Sequence, residues 1–325
     1  MRLRNLATAS LFLLGTYLSQ VQSATIPTPL SSLFQPISSS SQTNITSNIN
    51  GRDPRFQIKP VYHSIDLSKT SIFMNTIDLL ATLAVKDYYG QIPYTTTSIP
   101  GYADVKIEIR PREPAQTVQT RFAVWCVYDA IYSMQIDEMF KNSVFGCIWK
   151  GNLIAWVWFE DSRIGTNQTL VQSFTGPASG TLLDLNGTSP VLPTEKPEEN
   201  KTNVDVNPSI ADFELIMSFF SAGRPLSQEE VFFTVLATLQ DAAQYDDRDI
   251  VQPFEIGVRA YPCRIEMEKA DASGLTAPPT FEWKWVVQAA RQIPVWMFEH
   301  RFWESFFTIE VNGFVVGQGS IKQIY

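Results

Sequence analysis

Two histidines, His63 and His300, limit the chemistry open to this chain. A Ser-His-Asp triad would have to use one of them, and no Gly-x-Ser-x-Gly elbow supplies the serine. His300 stands in Trp296-Met297-Phe298-Glu299-His300-Arg301-Phe302-Trp303, a bulky setting that suits packing better than proton transfer. Three cysteines are present. Cys126 and Cys147 are close enough in sequence for a local disulfide, and Cys263, at an apolar strand position, reads as a buried free thiol. Cys126 falls on an apolar helix face, which argues against a reactive thiolate. No Cys-x-x-Cys or His-Glu-x-x-His motif offers a metal site. Asp246-Asp247-Arg248-Asp249 resembles part of a calcium loop but lacks its glycine and its distant glutamate, so it reads as a solvated helix exit. Glu108 and Glu266 occupy nearly equivalent strand positions and could converge as a carboxylate pair; outward-facing strand residues explain them more simply. No catalytic residue, metal ligand or cofactor is therefore assigned.

One constellation suits binding. Ile154, Trp156 and Trp158 alternate along one strand, and the corresponding positions near the C-terminus are Val315, Gly317 and Gly319. Large aromatics on one side and bared backbone on the other predict either packing of rings over glycine or a groove for an apolar or sugar ligand.

The elements that must carry these residues occur twice. Sliding the chain by 159 positions superposes Leu67 on Leu226, Ser68 on Ser227, Phe73 on Phe232, Leu80 on Leu239, Ala84 on Ala243 and Asp87 on Asp246. Both stretches read as one amphipathic helix. Ser227 with Glu230 three residues on is a capping-box pattern. After each helix comes an alternating strand, 104–110 or 263–267, which places Cys263 opposite Val105. Next comes an aromatic helix opening at Phe122 or Phe281, the second of them expected to end before Pro294. A hairpin then closes each copy, turning at Lys150-Gly151-Asn152 and at Val311-Asn312-Gly313. The expected fold is α+β: two tandem copies of a strand-helix-strand-helix-hairpin unit, antiparallel or mixed sheets covered by helices, related by a pseudo-twofold axis.

Residues 1–23 read as a secretory signal peptide, with Arg2 and Arg4, an apolar run from Leu6 to Leu18, and Val21-Gln22-Ser23 at the cleavage site. Residues 24–52 form a Ser/Thr-rich arm. The first repeat spans 53–161, a Pro/Ser/Thr-rich linker spans 162–210, and the second repeat spans 211–325. Glycosylation sequons at Asn44, Asn167, Asn186 and Asn200 all fall in the arm or the linker. Removing residues 1–23 leaves 23 basic residues against 33 acidic, a net charge of −10. Such a chain is a poor match for nucleic acid or anionic lipid, and no other stretch is apolar enough to span a bilayer. The reading is a secreted, non-catalytic protein that binds an extracellular protein or glycan, effector-like in character. The alternatives are a secreted carboxylate-dependent glycan hydrolase and a carrier of small apolar ligands.

Overall fold

The computed structural model describes residues 52–113, 116–163, 215–270 and 279–324. The signal stretch, nearly all of the arm and the linker, and all four sequons lie outside the described residues.

The fold is α+β. Its first half runs β1 (Phe56–Asp66), α1 (Lys69–Ala84), β2 (Gln91–Ile92), β3 (Thr95–Thr97), β4 (Val105–Pro111), β5 (Val118–Gln119), α2 (Thr120–Ile136), β6 (Lys141–Trp149) and β7 (Asn152–Asp161). The second half runs β8 (Leu215–Pro225), α3 (Gln228–Ala242), β9 (Phe254–Gly257), β10 (Cys263–Lys269), α4 (Trp283–His300), β11 (Trp303–Val311) and β12 (Phe314–Gln323). One five-stranded sheet has the order β1-β6-β7-β4-β3 and the other β8-β11-β12-β10-β9. All paired strands are antiparallel.

Local chemistry explains the helix starts. Ser68 Oγ accepts the Ser71 amide at 3.2 Å. At Ser227 the cap is reciprocal: the Glu230 amide donates to Ser227 Oγ at 3.1 Å, and the Ser227 amide donates to Glu230 Oε2 at 3.0 Å. The residues before the caps, Leu67 and Leu226, are buried, and each donates its amide to a carbonyl just before a hairpin, Phe140 or Phe302, at 2.9 Å.

Both hairpins turn through two left-handed residues. Lys150 and Gly151 have φ of 52° and 79°, and Asn312 and Gly313 have 52° and 81°, as two-residue turns that match strand twist require. A register shift follows at the same distance from each turn, after Cys147 in β6 and after Ile309 in β11. Pro60 sits in β1 at the edge of its sheet, where a missing amide need not break the ladder.

One face of each sheet packs on its own helices. In the first half Val105, Ile107, Ile109, Phe145, Cys147, Ala155, Val157 and Phe159 are buried, and a disulfide joins Cys126 of α2 to Cys147 of β6. In the second half Phe219 of β8 stacks on Trp296 of α4 at 4.4 Å between centroids. The helices of the two halves then meet through aromatic rings. Phe73 of α1 stacks on Phe232 of α3 at 4.7 Å and meets Phe233 edge-on at 5.4 Å, while Tyr132 of α2 meets Phe233 at 6.1 Å.

Helix α4 departs from expectation. It runs through Pro294 to His300 instead of stopping before the proline. Pro294 is itself buried, so its ring adds apolar burial where its missing amide costs a helix bond. The stop comes at Arg301, whose φ is 118°.

Candidate functional site

A cavity of about 530 Å3 lies where the start of β1, the exit of α1 and the start of α2 converge, and its lining includes Gln244, just past the end of α3. Backbone hydrogen bonds build the junction. After α1 the chain turns at Asp87, whose carbonyl accepts from the Gly90 amide and whose Oδ1 accepts from the Tyr89 amide, both at 3.0 Å. The first amides of α2 then donate into that turn, Thr120 to the Gly90 carbonyl at 2.9 Å and Arg121 to the Tyr88 carbonyl at 3.0 Å. Tyr88 and Tyr89 are thereby fixed beside Arg121 and, one helical turn on, Trp125. Arg52, Asp53, Pro54 and Arg55 complete the lining.

The lining carries three arginines against one aspartate, in a chain whose net charge is −8. Two of the arginines are engaged. Arg52 pairs with Asp129; burial pushes the Asp129 carboxyl up to about 6, against the opposing pull of Arg52. Arg55 clasps Asp53 through Nε at 2.8 Å and a terminal nitrogen at 2.6 Å, and these bonds hold the Asp53 carboxyl well below the usual range. The third differs: among the described residues no carboxylate pairs with Arg121. Its guanidinium lies over Phe122 at 4.6 Å, Tyr89 at 5.1 Å and Trp125 at 6.0 Å, and its Nε donates to Gln119 at 2.9 Å. Tyr89 is 63% exposed. The arrangement is a half-buried cation against two buried rings and the exposed Tyr89, with Tyr88 and Gln244 in the same lining.

The second half builds the same junction from different side chains. The Lys284 amide donates to the Asp247 carbonyl at 2.9 Å and the Trp283 amide to the Asp249 carbonyl at 3.1 Å. Asp247 and Arg248 thus stand where Tyr88 and Tyr89 stand in the first half, Lys284 where Arg121 stands, and Gln288 where Trp125 stands. The Asp246–Asp249 turn closes on itself, with the Arg248 amide 3.0 Å from Asp246 Oδ1 and the Asp246 amide 3.3 Å from Asp249 Oδ2. Among the described residues no group of three or more His, Cys, Asp or Glu is gathered as metal ligands.

The structure does not bring Trp156 and Trp158 to Gly317 and Gly319. Side chains alternate along β7, so the two tryptophans lie on the face opposite Ala155, Val157 and Phe159. There the Arg110 guanidinium covers the Trp158 ring at 4.3 Å. The glycines sit on the helix-facing side of β12. A Cβ at Gly317 would meet the Phe281 ring at 2.7 Å, and one at Gly319 would meet the Glu266 carbonyl oxygen at 2.5 Å and Phe307 at 2.6 Å. The cause is one residue of register. Lys150-Gly151 aligns with Asn312-Gly313, so Gly317 and Gly319 occupy the places of Ala155 and Val157. A slip of one reverses every side chain.

Glu108 and Glu266 do not converge either, since they belong to different sheets. Glu108 is bound by Lys106 at 2.5 Å and by Arg110 Nε at 2.6 Å. Burial alone would raise its carboxyl, but these partners outweigh burial and hold it below the ordinary value. Neighbouring Glu160 is raised, first by burial and then by the charge of Glu108. Glu266 pairs with Lys322 at 2.7 Å. Lys106, Glu108 and Arg110 are neighbours along β4 with Glu160 of β7 beside them, and Glu266 and Lys322 pair across β10 and β12.

Cys263 is a buried thiol pushed up to about 12 by burial. His300 stacks on Trp296 at 4.6 Å, and His63 Nε2 is buried with no hydrogen-bond partner. The sequence reading missed the cavity because its residues lie in four separated segments. Comparing the two halves at Tyr88/Asp247 and Arg121/Lys284 is the signal that could have found it. No helix of the described residues is long and apolar enough to cross a membrane.

No protein-family model matches the chain, and no curated protein matches it. Among solved structures, the chain aligns with the tandem DUF26 ectodomain of the Arabidopsis thaliana cysteine-rich receptor-like protein PDLP5, at 8% identity over 82% of this chain and 98% of that one, with a TM-score of 0.21. It also aligns with the tandem DUF26 ectodomain of PDLP8 from the same plant, at 5% identity over 82% and 96% of the two chains, again with a TM-score of 0.21. Likeness at that score carries no weight for fold or function.

Proposed function

We propose that this is a secreted, N-glycosylated, non-catalytic binding protein built from two copies of one α+β unit, 53–161 and 211–325, and that its extracellular ligand is held in the cavity around Arg121. The Arg121 guanidinium, set against three aromatic rings of which Tyr89 is exposed and without a carboxylate partner among the described residues, carries the reading. An organised cation without a carboxylate partner costs conformational freedom that a ligand would repay. The cavity's volume falls in the range of roughly 300–1,000 Å3 in which small-ligand sites lie. Export is supported by the basic-then-apolar start of the chain, the four sequons and the Cys126–Cys147 disulfide. Duplication is supported by matching strand orders, matching hairpin turns and matching bulges.

An array of extracellular glycans and peptides tests the binding role. The secreted protein is expected to retain at least one component, and Arg121→Glu to retain none while melting within a few degrees of the parent. Equal retention by Arg121→Glu would remove the cavity from the function.

A further inference from the structure

We infer that the cavity around Arg121 recognises an acidic carbohydrate, a saccharide carrying a uronate carboxylate; the inference rests on the binding role proposed above and names its ligand class. Three observations converge. The first is charge: among the described residues three arginines and one carboxylate line the space, in a chain that is acidic overall. Arg52 and Arg55 are already held by Asp129 and Asp53, which leaves Arg121 to take a carboxylate through its planar fork.

The second is shape. Tyr88 and Tyr89 meet edge to face at 5.2 Å, and Tyr88 meets Trp125 at 6.4 Å. A pyranose ring presents an apolar C–H face to an exposed ring such as Tyr89 and its hydroxyls to the rim. Exposed Tyr89 and Gln244 are in the lining and carry groups that donate and accept hydrogen bonds, the Gln244 amide nitrogen already donating to Asp241 at 3.3 Å. A flat aromatic acid would satisfy Arg121 and the rings but make no use of the Tyr89 hydroxyl.

The third is the internal comparison. The same backbone junction in the second half carries Asp247, Arg248, Lys284 and Gln288. That junction also holds aromatic rings, with Lys284 over Trp285 at 4.8 Å and Tyr245 stacked on Trp283 at 4.1 Å, but Lys284 is paired with Glu282 at 2.5 Å, so what sets the first half apart is a cation with no carboxylate partner among the described residues.

Calorimetry on the full secreted chain tests this with four probes: a glucuronate trisaccharide, the same trisaccharide with its carboxylates reduced to alcohols, benzoate, and inorganic phosphate. The uronate is expected to bind, and the reduced sugar to bind about 10- to 100-fold more weakly, the value of a charge-assisted hydrogen bond. Arg121→Gln is expected to lose as much, Arg121→Lys to fall between, and Lys284→Gln at the other junction to match the parent. Arg121→Lys keeps the test valid should the glutamine variant fold poorly. Equal binding of charged and reduced sugars would overturn recognition of the acid. Benzoate or phosphate binding as tightly as the trisaccharide, with the same loss in Arg121→Gln, would overturn the carbohydrate class yet leave the cavity as a ligand site. Failure of the uronate to bind, or binding indifferent to Arg121, would overturn the inference outright.

Discussion

A side chain at Gly317 would start 2.7 Å from the Phe281 ring, and all three of its nearest neighbours would be atoms of that ring. The glycine makes room for an aromatic of its own half, in the loop before α4. Gly317→Ala should therefore destabilise the chain by about 1–3 kcal/mol through overpacking. Pairing it with Phe281→Leu should give a loss smaller than the sum of the two single losses. Thermal melts of the three variants check this, and strict additivity would mean the ring and the glycine do not compete for one space. The sequence revealed that these glycines were unusual but not which way they faced. Asn312-Gly313 announces its turn; Lys150-Gly151 does not, because lysine seldom takes positive φ. Centring the first turn one residue late rotated the strand comparison by one step. The cavity was less legible still. Arg52, Tyr88, Arg121 and Gln244 lie far apart in the chain, and only tertiary structure brings them together.

At the scale of elements, the helix starts and hairpins could be read because each rests on a few adjacent residues: Ser227 with Glu230, or Asn312 with Gly313. The run of α4 through Pro294 could not, because burial of that proline against the fold is a tertiary gain that local preference does not register. The tie between α2 and β6 also differs between halves. Cys126 is five residues past Arg121 and Cys147 three before Lys150; Ala289 and Ile309 hold those places in the second half, both buried. One unit is thus closed by a covalent bond and the other by apolar contact. The bond spans 21 residues, a separation for which loop entropy suggests about 3 kcal/mol. Cys126→Ala with Cys147→Ala should lose roughly that amount in chemical denaturation. Cys126→Ala with Cys147→Ile, which copies the second half, should recover part of it by refilling the space. A double-alanine variant as stable as the parent would show that the disulfide holds nothing that packing does not.

For the whole molecule, buried Asp129 and half-buried Asp241 set a dependence on pH. Burial raises the carboxyls of Asp129 and Asp241 to about 6, with Arg52 opposing the rise at Asp129. A raised acid binds its proton more tightly folded than unfolded. Its ionisation therefore costs stability in full above pH 6, and the cost fades as pH falls toward the ordinary value of 3.8. Asp241 is the clearer probe, since burial alone shifts it and its carboxylate's hydrogen bond from Gln244 at 3.3 Å is one an asparagine could keep. Asp241→Asn should raise stability at pH 7.5 on the order of 2–3 kcal/mol, with the gain shrinking at pH 4.5. An equal gain at both values would mean that relief of buried charge is not the cause.

The stack of Phe73 on Phe232 has a consequence for descent. Each phenylalanine is five residues past its helix cap, Ser68 or Ser227, and each faces its own counterpart. On the duplication proposed above, a lone ancestral unit could have paired with a second copy of itself through this ring. Every substitution would then have struck both partners at once, and a change good on one side and bad on the other could not persist. Joining the two units in one chain lifts that bond. Tyr88 could remain aromatic while its twin became Asp247, and a symmetric pair could acquire one distinctive face.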